Sequence, residues 1–187
     1  MTGGRRIGPW VAGGVLVVLA AFVAVLATGG DDAAERSPLI GRPAPSIAGQ
    51  TIDGDAYDMA GERGRFVVVN FFATWCVPCI REHPELVAFE EAHREAGDAA
   101  VVSVVFDSRT EQVREFVAET GGEWPVVLEP NGRIALEYGV SGVPESYLVA
   151  PDGTVLTKIE GGVTAGELEQ LLARAKGEAP APEGASS

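Results

Sequence analysis

Cysteine is scarce in this chain of 187 residues, whose only two cysteines are Cys76 and Cys79. A closed structural zinc site needs a fourth ligand, and the chain has no second cysteine pair to complete one. Basic residues are also few, because 14 lysines and arginines stand against 27 aspartates and glutamates, for a formal net charge of −13. We therefore expect no nucleic-acid partner, since phosphates bind basic surfaces.

Charged residues are absent between Arg6 and Asp31. The stretch 10–28 is almost wholly apolar, and a helix of about 20 residues crosses the roughly 30 Å hydrocarbon layer. Basic residues before it and acidic residues after it predict a cytoplasmic N-terminus over 1–9 and an extracytoplasmic main domain. We predict a single-pass anchor in the cell membrane. A cleaved signal sequence ending near 25–27 is the alternative, and a lipoprotein anchor is excluded because no cysteine follows the apolar run.

The remainder predicts one domain over 39–176, preceded by a proline-punctuated linker over 29–45 and followed by a disordered tail over 177–187. Strands are predicted at 50–52, 56–58, 66–72, 100–106, 126–128, 146–149 and 155–159, and helices directly after Cys76 and at 110–120, 133–138 and 164–175. The first two strands flank Asp53-Gly54 as a hairpin. Pro84 predicts a kink in the helix that follows the cysteines. This order predicts a mixed sheet with helices on both faces.

The two cysteines are three positions apart and directly follow the predicted strand at 66–72. At that spacing on a helix, two sulfurs lie about one turn apart, close enough to form a disulfide or to separate as thiols. The unpaired N–H groups and the dipole of the first helical turn favour a thiolate at Cys76. We therefore predict dithiol–disulfide exchange, with Cys76 as the exposed nucleophile and Cys79 resolving the mixed disulfide from one turn inward.

Other interpretations of the cysteine pair stay open. A permanent structural disulfide can form outside the cytosol, although so short a loop removes little chain entropy. A copper or zinc site is the second alternative, because Cys76, Cys79 and His83 fall roughly on one helical face at i, i+3 and i+7. Such a site would suit a non-enzymatic copper chaperone. Our own prediction is an enzyme that holds no metal and uses no cofactor.

Three segments together resemble a known family, namely 73–79 (ATWCVPC), 124–128 (WPVVL) and 138–149 (YGVSGVPESYLV), the last followed by Asp152-Gly153. They are similar to the membrane-anchored, thioredoxin-like reductases of cytochrome c maturation called TlpA, ResA and CcmG (also DsbE). The resemblance implies an α/β thioredoxin-like fold, in which helices flank a central mixed β-sheet, with an N-terminal hairpin extension and an N-terminal transmembrane helix. Val77 departs from the acidic residue that ResA-like proteins often carry between the cysteines.

The resemblance also implies roles for residues around the cysteines. Pro144 matches the family's cis-proline, which leaves the backbone of Val143 free to pair with an extended substrate. Glu145 matches the acidic residue beside that proline, where a carboxylate near the sulfurs opposes thiolate formation and can shuttle a proton. Trp75 is expected to wall the cysteine turn. Pro78, between the cysteines, is expected to take part in redox tuning or in the substrate groove. Outside that turn, we expect Trp124 in the core and His93 on the surface of a helix. We expect His83 to tune the reactivity of Cys79.

The family reduces the disulfide in the CxxCH haem-attachment motif of apocytochrome c, so the implied partners are apocytochrome c or a haem-ligation component and an integral-membrane thiol donor of the CcdA/DsbD type. Electron donation also follows from the residues, because no basic side chain lies between Cys76 and Cys79 to stabilise a thiolate. A general extracytoplasmic protein disulfide reductase or isomerase has the same chemistry with a different client and is the main alternative function.

Overall fold

A computed structural model of the chain describes residues 14, 15, 19, 37–129 and 131–177. The chain divides into two units, Met1–Arg36 and Ser37–Ser187, and the second contains the cysteine pair. Within the described ranges no helix combines the length and the apolar character needed to cross a membrane. Apart from residues 14, 15 and 19, the predicted anchor at 10–28 lies outside the described residues, as do the predicted N-terminus at 1–9, the start of the linker and nearly all of the tail.

A central sheet organises the described domain. Two strands form a separate hairpin, β1 (Ala48–Gln50) and β2 (Ala56–Asp58), and five form the sheet: β3 (Phe66–Phe72), β4 (Ala99–Val105), β5 (Val126–Val127), β6 (Glu145–Val149) and β7 (Val155–Glu160). The order across the sheet is β5-β4-β3-β6-β7. Strands β3, β4 and β5 run parallel, whereas β6 is antiparallel to both β3 and β7. The predicted mixed sheet and hairpin extension are therefore confirmed.

Within residues 37–129 and 131–177, four α-helices pack on this sheet: α1 (Val77–Arg94), α2 (Thr110–Thr120), α3 (Arg133–Tyr138) and α4 (Ala165–Lys176). Side chains alternate between the two faces along β3, as strand geometry requires. Val68 joins one buried cluster with apolar residues of α1, α2 and α4. Val67 and Val69 join a second cluster with apolar residues of α3. The sheet is thus buried on both faces, which is why six of the seven residues of β3 are apolar.

The hairpin differs from its prediction at the first strand, which ends at Gln50 instead of spanning 50–52. Thr51 forms an isolated antiparallel bridge with Val127, and the amide of Ile52 donates to the carbonyl of Val126 at 2.9 Å. These residues leave the hairpin to contact β5, a long-range pairing that local alternation does not reveal. Helix α1 runs through Pro84 as one 18-residue segment, and the kink there stays a prediction.

Candidate active site

The loop between β3 and α1 positions the cysteine pair. Cys76 is the N-cap of α1, and its Sγ accepts a hydrogen bond from the amide of Cys79 at 3.2 Å. The preceding residues are fixed to the end of β4, because the amide of Thr74 donates to Ser108 Oγ at 3.1 Å and Trp75 Nε1 donates to the Asp107 carbonyl at 2.9 Å. The cysteines are therefore held at the carboxyl edge of the parallel strands.

The sulfurs of Cys76 and Cys79 are joined in a disulfide. Both residues are buried, with 4% and 3% of their surface exposed, so the expectation of an exposed Cys76 is wrong for this disulfide form. Trp75 and Val77 are each 60% exposed beside them. A partner approaching the disulfide therefore meets apolar side chains first. The order in which the two sulfurs react stays a prediction.

The loop 141–144, which leads into β6, lies beside the disulfide. The peptide bond between Val143 and Pro144 is cis. The Val143 carbonyl oxygen lies 3.5 Å from Cys76 Sγ, and the Pro144 carbonyl accepts from the amide of Gly161 at 2.9 Å. This arrangement brings Val143 and Pro144 next to the sulfur of Cys76, in the position that the family resemblance implies for a substrate-binding backbone.

Glu145 follows the cis-proline and is buried. Its Oε1 accepts from the amide of Ser141 at 3.0 Å, from Ser141 Oγ at 2.7 Å and from the amide of Gly142 at 3.2 Å. Its Oε2 forms an ion pair with Lys158 Nζ at 3.0 Å. Burial raises the pKa of Glu145, but the bonds from Ser141 and Lys158 outweigh it and hold the pKa below its usual value. This carboxylate therefore stays ionised, which favours a role in fixing the loop over one in moving protons.

A second buried carboxylate was not singled out from the sequence. Glu82 lies one turn after Cys79 on α1 and is 3% exposed. Its Oε1 accepts from Asn70 Nδ2 at 2.8 Å, and its Oε2 accepts from the amide of Val163 at 3.1 Å. Burial raises the pKa of Glu82 to about 7, although both hydrogen bonds lower it. A group with this pKa can exchange a proton near neutral pH.

Two sequence signals could have identified Glu82. It is spaced three residues from Cys79 and four from Leu86, so a helical projection places it on the buried face of α1. Asn70 is the one polar residue in the apolar strand β3, and a buried amide in such a strand requires a polar partner. The first signal predicts a buried carboxylate on α1, and the second predicts that β3 needs a polar partner. Together they favour a contact between Glu82 and Asn70.

His83 lies on the same helix but faces the α2 side. Its Nε2 is 2.9 Å from the Gly121 carbonyl oxygen, and its ring packs against Phe116 and Trp124 at centroid distances of 4.8 and 5.3 Å. Burial lowers the pKa of His83, while the bond to Gly121 raises it. Across the described residues, no group of three histidine, cysteine, aspartate or glutamate side chains is arranged to hold a metal. This geometry does not favour the three-ligand site.

The predictions for Trp124 and His93 have different outcomes. Trp124 lies in the core as expected, 7% exposed, and its Nε1 donates to Ser103 Oγ at 2.8 Å. The placement of His93 on the surface is wrong. Its Nδ1 is 2.8 Å from Asp98 Oδ1 and its Nε2 is 3.0 Å from Glu169 Oε1, so the imidazole is enclosed between α1, α4 and the start of β4.

Comparisons with known proteins agree with this geometry. The redoxin family profile matches residues 39–173. The thiol-disulfide oxidoreductase ResA of Bacillus cereus is 29% identical over 158 residues, covering 84% of this chain and 91% of ResA. The thiol:disulfide interchange protein HelX of Rhodobacter capsulatus is 31% identical over 155 residues, covering 80% of this chain and 85% of HelX.

The fold is shared with a crystal structure from Chlorobium tepidum, described as a thiol:disulfide interchange protein DsbE. It is 30% identical in sequence, has a TM-score of 0.67, and the match covers 73% of this chain and 96% of that one. The thioredoxin-like fold implied by the family resemblance is thereby confirmed. With a disulfide of CxxC spacing at the start of α1, the chain belongs to the redoxin family and is a thiol-disulfide oxidoreductase of the ResA and CcmG kind.

Proposed function

We propose that this oxidoreductase is an extracytoplasmic reductant that opens the CxxCH disulfide of apocytochrome c before haem attachment. The observation that carries the direction of electron flow is the buried carboxylate of Glu82, which lies three residues after Cys79 on α1 and accepts hydrogen bonds from two neutral groups, the Asn70 amide and the Val163 N–H. Negative charge near a thiol disfavours the thiolate, so the disulfide is harder to reduce and the dithiol is the better electron donor. The family resemblance supports the choice of client.

The proposed reaction begins with the dithiol form. The Cys76 thiolate attacks one sulfur of the substrate disulfide, forms a mixed disulfide and releases the other substrate sulfur as a thiolate, which takes up a proton. The Cys79 thiol then gives its proton to Glu82, and its thiolate attacks Cys76 Sγ. The mixed disulfide breaks, the second substrate sulfur leaves and is protonated, and two electrons have passed from the protein to the substrate.

Each turnover leaves Cys76 and Cys79 oxidised, as they are in the structure. A new dithiol must therefore be supplied, and an oxidising exterior has no soluble thiol pool that maintains it. We propose an integral-membrane thiol donor of the CcdA/DsbD type for that step. A membrane anchor at 10–28, with the amino end in the cytoplasm, would keep the domain beside such a donor.

Trapping tests the client. A Cys79→Ala variant of the full chain lacks the resolving sulfur, so we expect it to accumulate a mixed disulfide between Cys76 and apocytochrome c, identified by mass spectrometry. Cys76→Ala is the matched control and should trap nothing. Capture of many unrelated secreted proteins would instead support the general reductase or isomerase. Trapping by Cys76→Ala alone would reverse the assignment of the two sulfurs.

Redox titration tests the direction of electron flow. We expect a potential nearer to the value of thioredoxin, about −270 mV, than to the roughly −120 mV of a strong periplasmic oxidant. A value above about −160 mV would contradict the reductant assignment, because the disulfide would then accept electrons from most thiol pools.

One observation favours the general reductase as the second candidate. Trp75, Val77 and Ile80 form an apolar surface beside the disulfide, with 60%, 60% and 41% of each residue exposed. Such a surface binds unfolded segments with little dependence on sequence. Competition between a CxxCH disulfide peptide and a disulfide peptide of unrelated sequence separates the two functions, since only the haem-maturation enzyme should prefer the first.

A further inference from the structure

Lys158 on β7 is buried in a way that is unusual for a lysine. Its side chain is 8% exposed, whereas lysines generally keep the ammonium group in water. Its Nζ lies 3.0 Å from Glu145 Oε2, 2.7 Å from Glu160 Oε1 and 5.9 Å from the centroid of the Tyr147 ring. Two carboxylates and an aromatic face thus compensate for the desolvation of one ammonium group.

The register of the sheet explains why a cation is needed there. Glu145 on β6 lies directly opposite Glu160 on β7, and Tyr147 lies opposite Lys158. Like charges directly opposite each other destabilise a pair of strands. Because the Lys158 ammonium contacts both glutamates, it replaces that repulsion with two attractive interactions. The pKa of Lys158 lies above its usual value, since the bonds to Glu160 and Glu145 outweigh the effect of burial.

Glu145 connects this ion pair to the loop beside the disulfide. While Oε2 of Glu145 contacts Lys158, Oε1 accepts from the amides of Ser141 and Gly142 and from the Ser141 hydroxyl. These residues begin the loop that ends at the cis-proline. The next carbonyl along the chain, that of Val143, lies 3.5 Å from Cys76 Sγ. Only the carboxylate of Glu145 separates the lysine from the loop beside the reactive sulfur.

We infer that Lys158 is a positioning residue for disulfide exchange, which acts through Glu145 to hold the loop 141–144 against Cys76. It touches neither sulfur. Without the ammonium, the Glu145 carboxylate faces Glu160 with no compensating charge, and its hydrogen bonds to the loop weaken whenever it takes up a proton. The inference concerns the exchange reaction itself and does not depend on which protein is the client.

The test compares four variants of the full chain in the dithiol form. Lys158→Met removes the charge, Lys158→Arg keeps it, and the double variant Lys158→Met/Glu145→Gln removes both charges while leaving an amide oxygen for Ser141. Lys176→Met is the matched control, because Lys176 is the other lysine of the chain and also pairs with a carboxylate, that of Asp98 at 2.6 Å. Rates are measured between pH 5.5 and pH 8 with two disulfide peptides, one with CxxCH and one without.

We expect Lys158→Met to lower kcat/KM about tenfold with both peptides, as displacement of a substrate-positioning loop does. The deficit should deepen as the pH is lowered, because loss of the interaction with Lys158 raises the pKa of Glu145. Lys158→Arg should stay within about twofold of the wild type. The double variant should recover most of the rate that Lys158→Met loses, and its ratio to the wild type should not change with pH. Lys176→Met should match the wild type.

Two results would overturn the inference. One is a Lys158→Met variant that matches the wild type at every pH. The other is a double variant as slow as Lys158→Met, which would assign the effect to lost packing of the lysine stem. If Lys158→Met does not fold, the double variant decides alone, and a slow rate contradicts the inference. A wild type without preference for the CxxCH peptide would count against the proposed client only.

Discussion

Two buried glutamates near the disulfide have opposite ionisation behaviour, and their neighbours explain the difference. Glu82 is hydrogen-bonded to an amide side chain and a backbone N–H, both neutral, and burial raises its pKa to about 7. Glu145 contacts the ammonium of Lys158, and its pKa lies below the usual value. A raised pKa suits proton transfer and an ion pair suits charge compensation, so the mechanism that we propose uses Glu82 for the first and Glu145 for the second.

Replacing Glu82 with glutamine should slow the resolving step. Glutamine keeps the shape and the acceptor oxygen but cannot take the proton of Cys79, so we expect the rate of mixed-disulfide resolution to fall by about 100-fold. The wild-type rate should rise with pH through an inflection near 7. Stopped-flow measurement between pH 5 and pH 9 checks both expectations. An inflection that persists in Glu82→Gln would assign it to a cysteine thiol.

At the scale of elements, a buried polar network links three strands, β3, β4 and β6, and the segment before β5 to α1. Trp124 Nε1 donates to Ser103 Oγ, Ser103 lies 3.5 Å from Asn70 Oδ1, and Asn70 Nδ2 donates both to Ser146 Oγ and to Glu82 Oε1. Asn70 is the central member, because β3 is the middle strand of the sheet. The network connects the core beneath the disulfide to the carboxylate that we assign to proton transfer.

Removal of the Asn70 side chain should affect both stability and chemistry. The bond from Asn70 lowers the pKa of Glu82, so in Asn70→Ala we expect the kinetic inflection to move above pH 7. Buried groups left without partners should lower the free energy of unfolding by about 1–3 kcal/mol. Denaturant unfolding and the pH profile of resolution measure the two effects. An unchanged inflection would show that the proton acceptor lies elsewhere.

Helix α4 offers a separate test of local stability. Thr164 caps it, with its hydroxyl accepting from the amide of Glu167 while the Glu167 side chain accepts from the amide of Thr164. Thr164→Ala should lower the free energy of unfolding by about 1 kcal/mol. Thr164→Ser keeps the hydroxyl and is the matched control, expected within about 0.5 kcal/mol of the wild type. Equal loss in both variants would point to the threonine methyl group instead.

The elements that carry the site were readable from local patterns. Helices α2 and α3 have the predicted bounds, and β3 was recognised from its apolar, β-branched run. The cysteine motif and its place after β3 also followed from sequence order alone. Long-range pairing did not follow from the sequence, because no residue near Thr51 indicates its bridge to Val127. The partners of Glu82 and the partner of Lys158 on β6, Glu145, likewise lie on other elements, so their burial and charge balance needed the folded structure.

At the scale of the whole molecule, Glu82 makes stability depend on pH. The pKa of Glu82 is about 7 in the folded protein, against 4.5 for an ordinary glutamate. Between pH 4.5 and about pH 7, the folded state therefore binds more protons than the unfolded state. The stability of the wild type should therefore fall as pH rises from about 4.5 to about 7, relative to Glu82→Gln. Denaturant midpoints at pH 4.5, 6 and 8 check this. A constant difference between the two proteins would contradict it.

The tether between Trp75 and the end of β4 gives the enzyme a built-in optical signal. The indole N–H is bonded to the Asp107 carbonyl, and the ring is largely open to water next to the disulfide. Disulfides quench indole fluorescence at short range, so emission from this ring should brighten when the bond opens. Turnover could then be followed continuously without any added dye.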